Sequence, residues 1–231
     1  MSRTGLFSDI KKCTLRGFNF PLYPPPMKPA YWTQATQELA ARDAVMRQLI
    51  AQFAGASLES RGCAFTTLAR SIVGQQISVK AAESVWQQVT GAIPEITPHS
   101  IAAAEQELLR SCGLSARKVI YLHDLSRHFR EGDLSETAWE NLDDESIIKQ
   151  LIQVKGIGRW TAEMFLIFHL HRPDVLPLDD IGLQRAISLH YFDKQAVDKN
   201  TLIEIAKPWQ PWRSVATWYL WRSLDPLPVA Y

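Results

Sequence analysis

Apolar residues recur along most of the chain at the spacing of a helix face, and not in the alternation that is typical of strands. The clearest stretch is 144–154, where the following apolar residues fall on one helical stripe: Ile147, Ile148, Leu151, Ile152 and Val154. No segment alternates apolar and polar residues for long. The pattern therefore predicts an all-α protein.

Capping residues, glycines and prolines divide this pattern into separate helices. The predicted helices cover 33–53, 65–74, 78–91, 97–113, 115–132, 144–154, 159–171, 180–191 and 211–224, with others beginning at Ser135 and Asn200. The stretch FPLYPPPMKP, residues 20–29, is too rich in proline to be the interior of a helix. We therefore interpret residues 1–30 as a Pro-rich N-terminal arm.

Composition narrows the class of protein. A chain of 231 residues with 46% hydrophobic content is long enough for a core of ordinary size. No apolar run approaches the roughly 20 residues that span a bilayer, and the N-terminus lacks the pattern of a secretory signal, so we expect a cytoplasmic protein with no membrane partner. Cys13, Cys63 and Cys112 lack the spacing of a disulfide framework or a zinc site. We expect no cofactor and no metal held by side chains.

Charge alone does not indicate a nucleic-acid-binding protein, because the formal net charge is only +1. Residues 1–31 carry five basic side chains against Asp9, a charge of +4, so the remaining residues carry −3. We interpret this arm as a solvated tail in preference to a phosphate-binding segment.

The segment VKGIG, residues 154–158, interrupts the helical pattern with two glycines. Because Gly156 and Gly158 have no side chains, the turn exposes backbone N–H groups beside the N-terminus of the following helix. Such groups favour an anion such as a phosphate. The alternative is a tight turn in which a glycine only ends a helix.

The segment VLPLDDIGLQRAI supplies a candidate for chemistry. Pro173 and Pro177 bracket an extended link, and Asp180 stands at the start of the next predicted helix, whose dipole favours negative charge. An aspartate at this position is also an ordinary N-cap. Its combination with Trp160 and with the Trp-rich C-terminal run favours the chemical interpretation.

Four blocks occur in order: LARSIVGQQISVKAA, LIQVKGIGRWTAEMFLIF, VLPLDDIGLQRAI and PWQPWRSVATWYLW. Together they resemble the helix-hairpin-helix superfamily of DNA glycosylases and, within it, the 3-methyladenine DNA glycosylase II family, over residues 31–224. The chain is similar to the compact all-helical branch without the N-terminal β-domain. The resemblance implies two helical subdomains, a helix-hairpin-helix motif and an active-site cleft between the subdomains.

The resemblance also implies roles for individual residues. Asp180 corresponds to the catalytic aspartate, and the base pocket corresponds to Trp160, Met164 and Trp221. Gln76 stands where the family places the side chain that fills the gap left by the flipped nucleotide, although the expected residue there is apolar. The carbonyls of the phosphate-binding hairpin are candidate ligands for a monovalent cation, and the hairpin corresponds to Val154, Lys155, Gly156, Ile157 and Gly158.

The activity that the resemblance implies is that of a monofunctional DNA glycosylase, a hydrolase acting on N-glycosyl bonds. Such an enzyme flips alkylated bases, including 3-methyladenine and 7-methylguanine, out of double-stranded DNA and so initiates base excision repair. Two alternatives stay open: a non-enzymatic helix-hairpin-helix DNA-binding protein, and a bifunctional glycosylase and lyase. The second requires a nucleophilic lysine where this chain has Trp160.

Domain boundaries follow from the same resemblance. Residues 62–172 are expected to form a helical bundle that carries the helix-hairpin-helix, and residues 31–61 to pack with 175–231 in a second subdomain. Asp180 is then expected at the seam of the two. The expected partner is double-stranded DNA with alkylated bases, bound by a monomer.

Overall fold

The structure is a computed structural model that describes residues 12–15, 18–21, 28–59 and 62–224. Strands β1 (Lys12–Leu15) and β2 (Phe18–Pro21) pair antiparallel, with Leu15 opposite Phe18. All other regular elements of the described residues are helical, which confirms the all-α prediction for the body of the chain. The two short strands were not predicted, and the rest of the expected Pro-rich arm up to residue 27 lies outside the described residues.

The helices follow the predicted order along the chain. They are α1 (Trp32–Arg42), α2 (Ala44–Gln52), α3 (Ala64–Gly74), α4 (Val79–Ala92), α5 (Pro98–Ala103), α6 (Gln106–Ser111), α7 (Ala116–Glu131), α8 (Glu136–Trp139), α9 (Asp144–Leu151), α10 (Arg159–Phe168), α11 (Ile181–Tyr191), α12 (Lys199–Ala206) and α13 (Arg213–Leu224), with a 3-10 helix at Lys207–Trp209 before the last.

Short polar side chains determine where many helices begin. A side-chain oxygen accepts a backbone N–H from the first turn at each of the following N-caps: Asp43, Ser78, Thr97, Ser115, Asp180 and Asp198. Each bond satisfies one N–H group that the helix itself leaves without an acceptor. Local chemistry of this kind is what allows helix starts to be predicted from sequence.

Two predicted helices were wrong as single elements. The stretch 33–53 consists of α1 and α2, because Asp43 has an extended backbone and caps α2 instead of continuing α1. Thr33, which the sequence offers as the N-cap of this stretch, lies inside α1. The stretch 97–113 consists of α5 and α6, since Ala104 and Glu105 are extended between them.

The chain divides into two compact units. Of the described residues, the first unit holds 12–15, 18–21, 62–142 and 150–157, and the second holds 28–59, 143–149 and 158–224. The division falls between Ile157 and Gly158, inside the glycine turn. The structure therefore groups residues 143–149 and 158–172 with the second unit, whereas both stretches were predicted to belong to the bundle of 62–172.

The first unit is built around α3 and α7, which pack against each other. Their buried faces supply Leu68, Ile72, Leu122 and Leu125, and all four are almost fully inaccessible to solvent. Aromatic rings extend this core, since Phe129 of α7 makes edge-to-face contacts with Phe65 and with Trp139. Close packing of this kind makes α7 a rigid support for the turns described below.

The second unit has an aromatic core. Trp32 of α1 packs edge-on against Trp218 of α13 and also contacts Tyr219. The Asp43 carboxylate, besides capping α2, accepts hydrogen bonds from the Tyr191 hydroxyl (2.8 Å) and the Trp209 indole N–H (2.9 Å). These contacts join α1, α2, α11, α13 and the 3-10 helix, and so hold in place the helix that Asp180 caps.

Within the described part of the chain, no helix is both long and apolar enough to cross a membrane. The same residues contain no group of three or more His, Cys, Asp or Glu side chains arranged to hold a metal ion.

Candidate active site

Asp180 is a buried carboxylate at the N-terminus of α11. Only 8% of the residue is exposed. Its Oδ1 accepts the backbone N–H of Leu183 at 2.6 Å, the bond of an N-cap. The dipole of α11 and this N–H both stabilise negative charge on the carboxylate. Asp180 is therefore a structural cap and a candidate catalytic group at once.

Two tryptophans also donate hydrogen bonds to this carboxylate. The indole Nε1 of Trp160 lies 2.7 Å from Oδ2, and that of Trp221 lies 2.7 Å from Oδ1. The structure thus brings together three of the predicted site residues, from α10, α11 and α13. Three N–H donors converge on one carboxylate and fix its orientation. Sequence reasoning proposed the two indoles as pocket walls but did not predict their bonds to Asp180.

The two indoles differ in their surroundings. Trp160, in the first turn of α10, is 39% exposed, although its N–H is bound to Asp180. Trp221 is half-buried and stacks on Phe168, with ring centroids 5.6 Å apart and planes 12° from parallel. An exposed indole beside a carboxylate offers an aromatic face to a ligand, and a stacked indole offers a rigid one.

Gly182 allows the carboxylate and the Trp221 indole to approach α11 closely. A Cβ placed on this glycine would lie 3.1 Å from Oδ1 of Asp180 and 3.2 Å from both Cδ1 and Nε1 of Trp221. A larger residue would have to displace one of these groups. The sequence DDIG signals this requirement only through the presence of a glycine inside a predicted helix.

The other predicted pocket residue, Met164, is buried in α10 and only 5% exposed. Its role in a base pocket stays a prediction. Trp212 of the same C-terminal run packs in the interior instead: it is 9% exposed and stacks on Tyr31, with ring centroids 5.5 Å apart.

A buried acid on α10 was missed. Glu163 is 5% exposed, and Arg159 donates to it from Nε at 3.0 Å and to Glu145 from both terminal nitrogens. Burial raises the pKa of the Glu163 carboxyl, and the Arg159 guanidinium opposes that rise only in part. The arginine and Glu163 are four positions apart, the spacing of a helical ion pair, and that signal was present in the sequence.

The glycine turn follows α9 and leads into α10. Gly156 has φ +83°, and a Cβ at this position would lie 2.6 Å from Cγ and Cε2 of Tyr121. The turn therefore requires glycine for both backbone and steric reasons. Two more groups of the first unit hold it: the Asp124 carboxylate accepts the Lys155 N–H at 2.8 Å, and Gln75 donates from Nε2 to the Gly156 carbonyl at 2.8 Å.

The residues of the predicted hairpin have different exposures. Val154 and Ile157 are buried and anchor the turn, whereas Lys155 and Gly158 are exposed. For the backbone N–H groups of Gly156 and Gly158, no hydrogen-bond acceptor is found among the residues that the structure describes. Anion binding by these two N–H groups stays a prediction.

The carbonyls predicted as cation ligands already accept hydrogen bonds. The Val154 carbonyl accepts the Ile157 N–H at 3.0 Å, and the Gly156 carbonyl accepts the Gln75 amide. A carbonyl oxygen has a second lone pair, so these bonds are compatible with a monovalent cation. The cation site stays a prediction.

Gln76, the predicted wedge, lies in the turn between α3 and α4. It is exposed and has φ +59°, a left-handed conformation that residues other than glycine adopt rarely. The contacts that Gln75, Tyr121 and Asp124 make with the glycine turn were not predicted, because they join segments that are distant in sequence.

Comparison with known proteins identifies the family. Residues 69–211 match the HhH-GPD superfamily of base excision DNA repair proteins. The chain belongs to this superfamily, and the family predicted from the four sequence blocks is confirmed. Its relatives include DNA-3-methyladenine glycosylase 1 of Schizosaccharomyces pombe, which is 33% identical over 165 residues, 69% of this chain and 72% of that protein.

Two solved structures resemble this one closely. A DNA-3-methyladenine glycosidase from Bacillus halodurans is 35% identical, with a TM-score of 0.76 over 83% of this chain and 89% of that one. The S. pombe 3-methyladenine DNA glycosylase Mag1 in complex with abasic DNA is 28% identical, with a TM-score of 0.70 over 85% and 100%. Other relatives are longer: the chain spans 63% of the length of a Bacillus subtilis relative to which it is 34% identical.

Proposed function

We propose that this protein is a monofunctional DNA glycosylase that hydrolyses the N-glycosidic bond of alkylated bases, such as 3-methyladenine and 7-methylguanine, in double-stranded DNA. The observation that carries the proposal is the Asp180 carboxylate, which is buried at a helix N-terminus and held by two indole N–H groups. The names of the relatives support 3-methyladenine as a substrate. This reaction initiates base excision repair.

The chemistry of a cationic base suits this group of side chains. An N-alkylated purine is positively charged and is therefore a good leaving group that stacks on an electron-rich indole. As the glycosidic bond breaks, the sugar acquires oxocarbenium character, which the Asp180 carboxylate stabilises through its charge. The same carboxylate orients the attacking water, while the indole N–H groups of Trp160 and Trp221 keep it from rotating.

Access to the base requires that the nucleotide leaves the duplex, at a cost of a few kcal/mol. The free N–H groups of Gly156 and Gly158 bind a backbone phosphate, as helix N-termini and glycine turns do in other proteins. Exposed Gln76 fills the gap that the flipped nucleotide leaves. This mode of binding uses backbone groups and so does not require a strongly basic surface.

Lyase chemistry is disfavoured by the surroundings of Asp180. A Schiff-base mechanism requires a desolvated lysine, but the side chain beside the carboxylate is the indole of Trp160. Lys155 of the turn is exposed. Borohydride treatment during turnover is therefore expected to trap no covalent adduct with DNA, and efficient trapping would favour the bifunctional alternative.

The proposal is tested by base release from methylated duplex DNA, followed by chromatography of the free bases. We expect release of 3-methyladenine and 7-methylguanine that leaves abasic sites without strand cleavage. A panel of single-lesion duplexes then ranks the substrates. Binding to the same DNA without release of any base would contradict the proposal and favour the non-enzymatic alternative.

A further inference from the structure

The two turns to which DNA contacts are assigned are joined directly by one hydrogen bond. Gln75, at the end of α3, donates from Nε2 to the Gly156 carbonyl at 2.8 Å. The next residue is exposed Gln76, the candidate wedge, and Gly156 is the centre of the glycine turn. The bond is partly buried and spans 81 positions in sequence. Gln75, Gln76 and Gly156 all belong to the first unit.

One face of α7 supports the same two turns. Lys118, Tyr121 and Asp124 are three residues apart and so lie along one side of the helix. Lys118 donates from Nζ to the Val73 carbonyl in the last turn of α3, at 2.7 Å. Further along α7, Tyr121 packs against Gly156 and Asp124 accepts the Lys155 N–H. We call these three residues the α7 brace.

Electrostatics indicate that the brace is not a loose surface contact. Burial lowers the pKa of the Lys118 ammonium. Burial would raise the pKa of the Asp124 carboxyl, but hydrogen bonds from the Lys155 N–H and from Arg127 outweigh it and hold that pKa below its usual range. Groups that are partly withdrawn from water and paired resist rearrangement, because breaking a bond leaves a desolvated polar group.

We propose that Gln75 is a positioning residue that couples the two turns, so that a phosphate held at the glycine turn sets the position from which Gln76 enters the duplex. The α7 brace holds each turn, and the Gln75 amide is the direct link between them. The left-handed backbone of Gln76 makes its side-chain direction depend on its neighbour, because φ +59° leaves little freedom to readjust. This inference rests on the proposed function.

The test is a double-mutant cycle with Gln75→Met and Gln76→Ala. Methionine matches glutamine in length and charge but has no N–H to donate to Gly156. Gln87→Met is the matched control, since Gln87 is an exposed glutamine of α4 whose Nε2 donates to Glu83 of the same helix. Base flipping is followed by the fluorescence of 2-aminopurine placed beside an alkylated base, and binding by anisotropy with undamaged duplex.

Gln75→Met is expected to reduce both flipping and base release about tenfold, while affinity for undamaged duplex changes less than about twofold. The double variant is expected to be no worse than the more impaired single variant, which is the mark of coupled residues. Gln87→Met is expected to behave as the wild type. Gln75→Leu, which also lacks the donor and adds no charge beside the glycine turn, replaces Gln75→Met if that variant does not fold.

Additive losses in the double variant would overturn the inference, as would wild-type flipping by Gln75→Met. An equal fall in flipping and in affinity for undamaged duplex would also overturn it, because Gln75 would then serve only the phosphate grip. Failure of the proposed function is a separate result. In that case the wild type releases no alkylated base at all, whereas the cycle on 2-aminopurine fluorescence still reports the coupling.

Discussion

The Asp180 carboxylate shows how much of a site can be read from single residues. Its place at the start of a helix was predicted from LDDIG, because capping is a local property of the chain. Its indole partners were not predicted, since Trp160 and Trp221 lie 20 and 41 positions away. Pairings between distant segments depend on packing, and no local pattern encodes them. The close contact between Gly182 and Trp221 also joins distant segments, so it was not predicted either.

Each indole at the site has an N–H group that binds Asp180 and an aromatic face that can stack on a base, and a substitution can separate the two. Trp160→Phe and Trp221→Phe keep an aromatic ring but remove the N–H that Asp180 accepts. Each is expected to lower kcat for base release about 10- to 100-fold, because bonds to charged groups contribute about 1.5–3 kcal/mol. KM is expected to change little. Single-turnover and steady-state kinetics on 3-methyladenine duplexes measure both.

The matched control is Trp212→Phe, which removes an indole N–H bond of 2.8 Å to Glu38 instead. We expect it to keep its rate within about twofold, since this carboxylate has no part in the reaction. Equal rate losses in all three variants would mean that the indole N–H groups support only the fold.

Gly182→Ala is the second prediction at the residue scale. The added Cβ would press on Oδ1 of Asp180 and on the indole edge of Trp221. We expect base release about tenfold slower with no loss of Tm, because helix propensity favours alanine by up to about 1 kcal/mol. Gly91→Ala in α4 is the control, since its Cβ would meet nothing within 4 Å. A wild-type rate in Gly182→Ala would show that base release does not depend on the close packing of Asp180 and Trp221 against Gly182.

At the scale of elements, the sequence predicted most helices and the glycine turn between α9 and α10. It failed where a polar residue broke a continuous apolar pattern, as at Asp43, because the capping bond and the extended backbone there outweigh helix periodicity. The turn itself was predicted from its glycines, whereas its supports were not. Tyr121 and Asp124 look like ordinary residues of a helix until the fold brings α7 against the turn.

Gly156→Ala tests the glycine turn as an element. A Cβ there would collide with Tyr121 and force a φ of +83° on alanine. We expect affinity for duplex DNA to fall about tenfold or more, because the free N–H groups of the turn lose their arrangement. Gly132→Ala is matched, with φ +90° but nothing within 4 Å of its Cβ. Gly132→Ala should lower the free energy of unfolding by about 1–2 kcal/mol and leave DNA binding unchanged. Fluorescence anisotropy measures the affinity of both variants for DNA, and thermal unfolding measures their stability.

At the scale of the whole molecule, a net charge of +1 accords with the proposed binding of DNA through backbone groups in place of a basic surface. Helical class and family were predicted from the pattern of apolar residues and from the four blocks. The boundary between the two units, at Ile157 and Gly158, was not predicted, because contacts of the folded chain decide to which unit each segment belongs. The sequence around the turn has no composition change that marks it.

Acid stability of the molecule is expected to depend on His171. Burial lowers the pKa of this imidazole from 6.5 to about 4, with a smaller effect of His169, and its Nε2 is a buried atom with no hydrogen-bond partner among the residues that the structure describes. Between these values the unfolded chain binds a proton that the folded protein does not, so stability falls as pH falls from 6.5 towards 4. The stability of the folded protein with respect to His171 is therefore greatest above the pKa of this imidazole in the unfolded chain, 6.5.

His171→Asn removes this titration, and asparagine tolerates the φ of +54° at this position. Urea denaturation at pH 7 and pH 5 should show a smaller loss of stability than in the wild type. Between pH 7 and pH 5, the wild type should lose about 1 kcal/mol more of its free energy of unfolding than the variant does. This is half the value for a fully buried group, because the imidazole is partly exposed. His99→Asn, at an exposed histidine, is the control and should keep the wild-type dependence. Identical pH dependence in His171→Asn and wild type would contradict this account.

The most direct measurement of the central claim is the single-turnover rate of 3-methyladenine release by Asp180→Asn. Asparagine has the same shape and is a good N-cap, so the variant keeps the start of α11 while it loses the negative charge. We expect a rate at least about 100-fold below the wild type, with unchanged affinity for duplex containing an abasic-site analogue. A rate close to that of the wild type, in a folded variant that binds the same DNA, would contradict the assignment of Asp180 as the catalytic residue.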